Sequence, residues 1–564
     1  MCESTNPATG LAIALGLLLL TNTTLAAQII YVDADATGAN DGSSWTNAYK
    51  YLQDALTDAG SADKPAEIRV AQGIYRPDRN AAEPNGTSNR GATFQLINGV
   101  TLKGGYAGIF ETDPNERNIK KYETILSGDL AGNDVDVNDP CDLPAEPTRA
   151  ENTYHVVTSS DTDETSVLDG FTITGGYADG PDLRDRCGGG IFNCLDSNPT
   201  LTNCTFSGNK AYFGGGMCNW FRSGSPKLTN CTFSGNSASA GGGGMYNRSS
   251  NGLELTNCIF RGNWAIRGGG MYNYRSSPKL TNCTFCANSA NSGGGVLNHN
   301  SKPDMLSCVF SGNKAYIGGG MFNNVLGDPV LGNCTFSGNS AKEGGGIYNT
   351  HSAVIINNCT FAGNAAPQGC AVACDSYQMW YPSVVEISNC ILRDSGAEIW
   401  NNDGSSIAIN YSDVQDEQMS LYDPREGLVW GNGNIDVDPC FAEPGYWDPN
   451  GTPDDPNDDS WVDGDYHLKS QAGRWDPNSQ SWVQDDVTSP CIDAGDPNSP
   501  VGHEPFPNGG IINMGAYGGA TEASKSYFGE PICETITAGD INGDCKVDFN
   551  DLILVVAHWL EDNR

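Results

Sequence analysis

LTNCTFSGNKAYFGGGMCN, residues 201–219, decides the fold, because variants of it recur along the chain. The triplet Gly-Gly-Gly begins at Gly188, Gly214, Gly242, Gly268, Gly293, Gly318 and Gly344, in steps of 25 to 28 residues. Cys204, Cys231, Cys258, Cys283, Cys308, Cys334 and Cys359 keep the same beat. A fixed period of this size marks a solenoid, in which each unit buries its apolar face only by stacking on its neighbours. Gly, Asn, Ser and Thr are too dense for helices, and most units carry at most one leucine, which removes the helical and leucine-rich solenoids. A coil of short parallel strands remains.

Within the unit, Leu201 points inward and Asn203 makes a bend. Cys204 and Phe206 point inward with the period of two that a strand imposes. Gly208-Asn209 bends the chain again, Ala211 is small enough for the inside of a corner, the glycine triplet turns closely, and Met217 returns to the core. Three strands and three corners per coil predict an all-β, right-handed parallel β-helix. Stacking then sets like on like. The cysteines, with Cys390, form one internal ladder, and Phe206, Phe233, Phe260, Phe285, Phe310, Phe336 and Phe361 a second. Asn203, Asn230, Asn257, Asn282, Asn333, Asn358 and Asn389 form a third at a corner, where amides bond from coil to coil. Asn203-Cys-Thr and its copies match a glycosylation sequon, but the ladder claims the asparagine.

Two tetrapeptides recur in each unit, Phe206-Ser-Gly-Asn209 through Phe361-Ala-Gly-Asn364 and Gly-Gly-Gly-Met as at Gly214–Met217. The pair resembles the repeats of the polymorphic outer membrane proteins, which implies the same coil and, from the motif alone, no activity.

The chain has 564 residues, 70 glycines, only 18% charged residues and a formal net charge of −37, which argues against nucleic acid as a partner. The charge is uneven. Cys187 to Ala366 holds five acids and eleven Lys or Arg, which puts the acidity in the flanks. Ladder cysteines behave as small buried hydrophobes, so thiols are expected there, whereas Cys440 with Cys491 and Cys533 with Cys545 are candidate bridges.

Leu11–Leu20 is an apolar run too short to span a membrane, and Leu25-Ala26-Ala27 ends it with small residues. Residues 1–27 therefore read as a signal peptide, with a secreted or cell-surface destination and no transmembrane segment in the mature chain. The β-helix is expected over 28–430, with regular repeats over 187–366. Ser43-Ser44-Trp45 offers a helix cap, and Ala48, Leu52, Ala55 and Leu56 lie on one helix face that would cover the open end of the core. Ile68, Val70, Ile74 and Tyr75 then begin the first coil. GSSWTNAYKYLQDAL and IRVAQGIYRP, within residues 42–77, resemble the N-terminal cap and first coil of the pectate-lyase superfamily. Residues 431–519 read as an acidic cap wrapped on the rod, with Trp447-Asp-Pro-Asn before Trp461 and Trp475-Asp-Pro-Asn before Trp482 as a loose duplication. Asn513–Gly519, NMGAYGG, resembles the tail that follows exported bacterial β-helices. Residues 520–535 form a linker.

Residues 536–564 carry a calcium-loop pattern: Asp540, Asn542 and Asp544 at positions 1, 3 and 5, the Lys546 carbonyl at 7 and Asp551 at 12. Alternate spacing aims hard oxygen ligands at one cation. The loop and the apolar run after it resemble half of a dockerin, which implies calcium and a cohesin-like partner; Cys545 stands where glycine is usual, and only one repeat is present.

Catalytic β-helices need clustered carboxylates, or Arg beside calcium, on neighbouring coils. The candidates here lie in insertions: Asp179, Asp182, Arg184, Asp185 and Arg186, and earlier Asp129, Asp134, Asp136 and Asp139, for which solvated loops or a structural ion are the plainer reading. Trp220, Phe221, Trp264, Tyr272, Tyr274, Trp380, Tyr381 and Trp400 are rings outside the ladders that could stack on sugars or cover loops. The sequence thus favours an adhesive or glycan-binding rod facing extracellular glycans or another cell surface. The alternatives are a pectate-lyase-like lyase or glycoside hydrolase, and a structural envelope protein.

Overall fold

The computed structural model describes residues 27–528, apart from 221–223, 225, 376–381, 395 and 451–458, and beyond them residues 547, 549, 552, 553 and 556. The signal-peptide run and calcium-loop residues Asp540, Asn542, Asp544, Lys546 and Asp551 lie outside the described residues, as do Cys533, Cys545, Phe221, Trp380 and Tyr381.

The chain is a right-handed parallel β-helix. Sheet 1, with 14 strands, includes Thr200–Thr202; sheet 2, with 12, includes Thr205–Ser207. Sheet 4, with 12, includes Met217–Trp220. Between sheets 2 and 4 runs a short sheet 3 of six strands, from Tyr177–Ala178 to Lys314–Ile317. The regular coils therefore have four strands, not the expected three. Ala211 is not in a corner: it pairs with Ala178 and Ala238 as the small inward residue of sheet 3.

Register puts like on like. Phe206 pairs with Phe233, and the phenylalanine rings stack at 4.5 to 5.0 Å between centroids along the row to Phe361. The ladder cysteines are buried free thiols, each Sγ donating to a carbonyl of the preceding coil, as Cys231 does to Leu201. The glycine triplets stack as well. A Cβ on Gly269 would lie 2.5 Å from the Gly294 carbonyl oxygen and 2.6 Å from that of Ser289, so no larger residue fits between coils.

Polar order extends further inside than the sequence suggested. Asn193, Asn219, Asn247, Asn273, Asn298, Asn323 and Asn349 point into the core from sheet 4; the first six donate from Nδ2 to the next Oδ1 at 2.7 to 2.9 Å, and Asn349 donates to the Cys374 sulfur. A second buried row, Asn209 to Asn364, donates from both N and Nδ2 to the following Oδ1 and ends on Asp394. Buried amides persist here because each neighbour supplies the missing partner.

At the N-terminal end the helix spans Leu52–Ser61, later than the serines implied. Tyr51 is its N-cap, without a side-chain cap, while Ser43 and Ser44 instead hold Asn47. Leu52, Ala55 and Leu56 are buried against the first coils, and Ala48 is buried as well. The first strand is Gln28–Val32, ahead of Ile68, and Ile74 is 52% exposed rather than internal.

The segment after Trp430 packs along the outside of sheet 2, from the Asn333 corner with sheet 1 to the Gly338 corner with sheet 3. It carries three antiparallel strand pairs, in two of which Trp447 faces Trp461 and Trp475 faces Trp482. Asp463 accepts from the Ser311 and Ser337 hydroxyls. The outer asparagine row changes partner where this segment docks. Asn230, Asn257 and Asn282 each donate to the preceding asparagine. Asn333 donates instead to the carbonyls of Ala516 and Gly518, and Asn358 to that of Asn513. Cys440 and Cys491 do not form the expected bridge. Cys491 packs in a core with Ile391, Leu468 and Met514, while the Cys440 thiol donates to the Asp438 carbonyl.

Candidate functional site

The outer face of sheet 4 is the feature most unlike a scaffold. Alternation sends Met217 and Asn219 inward, so Cys218 and Trp220 point out, and stacking turns each outward position into a row. One row runs Phe192, Cys218, Tyr246, Tyr272, Leu297, Phe322 and Tyr348 and packs as an apolar cluster outside the core. Beside it runs a row of mixed chemistry: Cys194, Trp220, Arg248, Tyr274, His299 and Asn324. The Arg248 guanidinium sits 4.4 Å from the Trp220 ring centroid and 5.9 Å from that of Tyr274, whose ring stacks on His299 at 5.2 Å with 3° between planes. Arg275 lies 5.3 Å from the Tyr274 ring.

Here the face hollows into a groove of about 410 Å³, lined by Arg267, Tyr272, Tyr274, Ser292, Leu297, His299, Phe322 and Asn324. Burial lowers the His299 pKa below the ordinary histidine value, and the charges of Arg267 and Arg275 press the same way. The described lining includes no carboxylate. This is chemistry for stacking and for cation-assisted hydrogen bonding. Near the C-terminal end of the face, Trp400 stacks on Tyr422 at 3.8 Å.

Of the rings singled out in the sequence, Trp220, Tyr272, Tyr274 and Trp400 come together on this face, whereas Trp264 begins a strand of sheet 3. Arg248, Arg267 and His299 were missed. The signal was their offset from each triplet, legible only once the register is fixed.

The insertion residues are placed differently. Asp179 pairs with Arg90. Asp182 and Arg184 are exposed, Asp185 is half-buried in the turn Arg184–Arg186, and Arg186 donates to the Gly180 carbonyl. Asp129 and Asp134 do converge, with Glu151 as a third member that the sequence reading lacked. Their ligand atoms lie within 4.8 Å of one another, the one such group among the described residues. Burial pushes Asp134 up to about 6 against the pull of Asn152 and Arg149. Arg149, 3.3 Å from Asp134, is already a cation in this cluster. These three carboxylates could hold one small divalent ion. Asp136 is exposed, and Asp139 caps the turn Pro140–Ala145 by accepting from the Cys141 N–H.

A family described as "Right handed beta helix region" matches residues 189–365 and 245–414, and one described as "Disaggregatase related" matches residues 449–495. No curated protein matches the chain. Among solved structures, pectate lyase Pel9A is similar with a TM-score of 0.37 and 12% identity, over 87% of this chain and 96% of that one. The tailspike protein gp49 of Acinetobacter baumannii bacteriophage Fri1, a capsular polysaccharide depolymerase, gives 0.34 and 12% over 73% and 61%. The catalytic unit of a GH87 alpha-1,3-glucanase from Streptomyces thermodiastaticus strain HF3-3 gives 0.37 and 9% over 72% and 67%. Likenesses this loose transfer no residue roles. Among the described residues no helix is long and apolar enough to cross a membrane.

Proposed function

We propose that the protein is an exported glycan-binding rod that holds an acidic polysaccharide along the outer face of sheet 4. The observation that carries this is the row Trp220, Arg248, Tyr274 and His299, one residue per coil, rising at roughly the 4.8 Å strand spacing. Rings in such a row stack on sugar faces, and the neighbouring Arg248, Arg267 and Arg275 supply bidentate donors for carboxylate or sulfate groups. A cationic groove in a chain of net charge −37 points the same way, since charge of this sign is scarce on the molecule. The absence of a carboxylate from the described lining favours binding there over hydrolysis. Adhesion to another cell surface through its glycans belongs to this reading.

The test is retention of the mature chain on immobilised acidic and neutral polysaccharides, with reducing ends measured in the same samples. Retention on acidic glycans, lost at least tenfold in Trp220→Ala with Tyr274→Ala and weakened by salt, is expected. Depolymerisation, or retention indifferent to both substitutions, overturns it. The C-terminal module is proposed to load calcium through Asp540, Asn542, Asp544, Lys546 and Asp551, and thereby to tether the rod to a cohesin-like partner. Calcium titration of residues 536–564 as a peptide, against Asp540→Ala with Asp544→Ala, checks the loading.

A further inference from the structure

A second cavity lies on another flank, where the C-terminal segment meets the corner between sheets 2 and 3. Its volume is about 770 Å³. Phe441, Tyr446, Trp447, Trp461 and Tyr466 wall one side, and Asp394 lines the other. We infer that this cleft binds a small protonated amine, held against the aromatic walls with its N–H directed at Asp394.

Three observations lead there. First, the cleft wall holds a carboxyl oxygen that receives no N–H or hydroxyl donor. Asp394 is only 6% exposed, and its second oxygen, Oδ2, meets only another carboxyl, that of Glu398. Buried polar atoms left in this state favour a ligand that satisfies them.

Second, the charge is of one sign. Asp394 and Asp438 line the cleft, and Glu398 lies behind Asp394, its Oε1 accepting from the Asp394 N–H at 2.8 Å while its Oε2 receives no N–H or hydroxyl donor. The single cation in the described lining, Arg393, is already engaged by Asp413 at 2.6 and 2.9 Å, by Asp436 at 2.9 Å and by the Val437 carbonyl. The Cys370 thiol, which with the Tyr466 hydroxyl also faces Asp394, donates to the Ala366 carbonyl. Burial raises both Asp394 and Glu398, so without a ligand the pair retains a proton. Aromatic walls with a surplus of carboxyls and no free base suit an ammonium group better than an anion or a neutral alcohol.

Third, the repeat itself does not require an acid here. Seven stacked positions from Asn209 to Asn364 carry the amide, and Asp394 is the eighth. An asparagine would accept the two Asn364 hydrogen bonds equally well through its Oδ1. The row changes from amide to carboxyl at the coil where the cleft opens.

This same substitution separates binding from folding. Asp394→Asn restores the repeat pattern, so its melting temperature is expected to stay within a few degrees of the parent. The probes are cyclohexylamine and cyclohexanol, matched in size and different in charge, titrated into the full chain with tryptophan fluorescence and calorimetry. The amine is expected to bind at least tenfold more tightly than the alcohol. It should also release protons near neutral pH, seen as a heat that changes with buffer ionisation enthalpy, as the carboxyl pair gives up its proton to face the cation. Asp394→Asn should lose at least tenfold in amine affinity. Equal affinity for the two probes, binding unaffected by Asp394→Asn, no binding of either, or tighter binding of a neutral hexose than of the amine would each overturn the assignment. Trp220→Ala leaves this cleft intact, so the result is independent of the groove on sheet 4.

Discussion

The regular coils and the segment docked on their flank solve the same problem in opposite ways. Both bury polar groups in quantity. In the coils each buried asparagine is satisfied by its own copy one coil on, so one local pattern, repeated, completes the whole interior. On the flank each contact is made once: Asp463 to Ser311 and Ser337, Glu504 to the N–H groups of Asn513 and Gly519, Asn333 to two carbonyls. Repetition spreads a defect through a stack of dependants, whereas singular contacts fail one at a time.

If that contrast is right, the largest effect belongs to the tightest repeated contact. Gly269→Ala places a Cβ 2.5 Å from a carbonyl of the next coil, and neither coil can retreat without opening the stack. A loss of about 3 kcal/mol is expected in denaturant unfolding, enough to lower soluble yield. A tolerated alanine would show that the coils are softer than their close stacking implies.

Asn273→Ala comes next. The residue is fully buried, accepts from Asn247 and donates to Asn298, so its removal strands one donor and one acceptor. About 2–3 kcal/mol should be lost, with exchange protection falling in both adjacent coils rather than one.

The smallest effect is pH-dependent and confined to the flank. Burial pushes Glu504 from 4.5 up to about 7, partly opposed by its two N–H donors. Its unfolded form therefore ionises first as pH rises. The stability associated with the protonated carboxyl is complete below about pH 4.5 and is lost as pH climbs through about 7. Between pH 5 and 8 the amides of 489–526 should lose about 1–2 kcal/mol of exchange protection, while those of 201–361 hold theirs. A uniform loss across both regions would erase the distinction.

The fold was legible because the period itself is the architecture. Cys204, Phe206 and the triplet at Gly214 recur at fixed offsets, and stacking turns offsets into ladders. What escaped did so for definable reasons. The Asn219 row recurs as faithfully as the phenylalanines, but a buried amide is not legible as such until its partner is seen one coil away. Ala211 looked like a corner residue because nothing in so short a strand reveals its pairing. The groove was half visible. Its rings stood out in the sequence, but Arg248 and His299 join them only through register. Asp129, Asp134 and Glu151 are brought together by an irregular loop whose path no period dictates.

The identical faces of successive coils have a consequence for how such a chain can change over generations. A segment of one period, excised between equivalent points, leaves two surfaces that still match, so the rod can gain or lose length in whole units without redesign. That freedom ends near Ser311, where the docked segment begins to measure the coils against itself. Deleting one period between Asn273 and Asn298, clear of the turn Pro140–Ala145 that packs on the strands at Ser237 and Trp264, should yield a shorter rod with its flank intact. The same deletion beyond Ser311 would leave the docked segment out of step with every contact it makes.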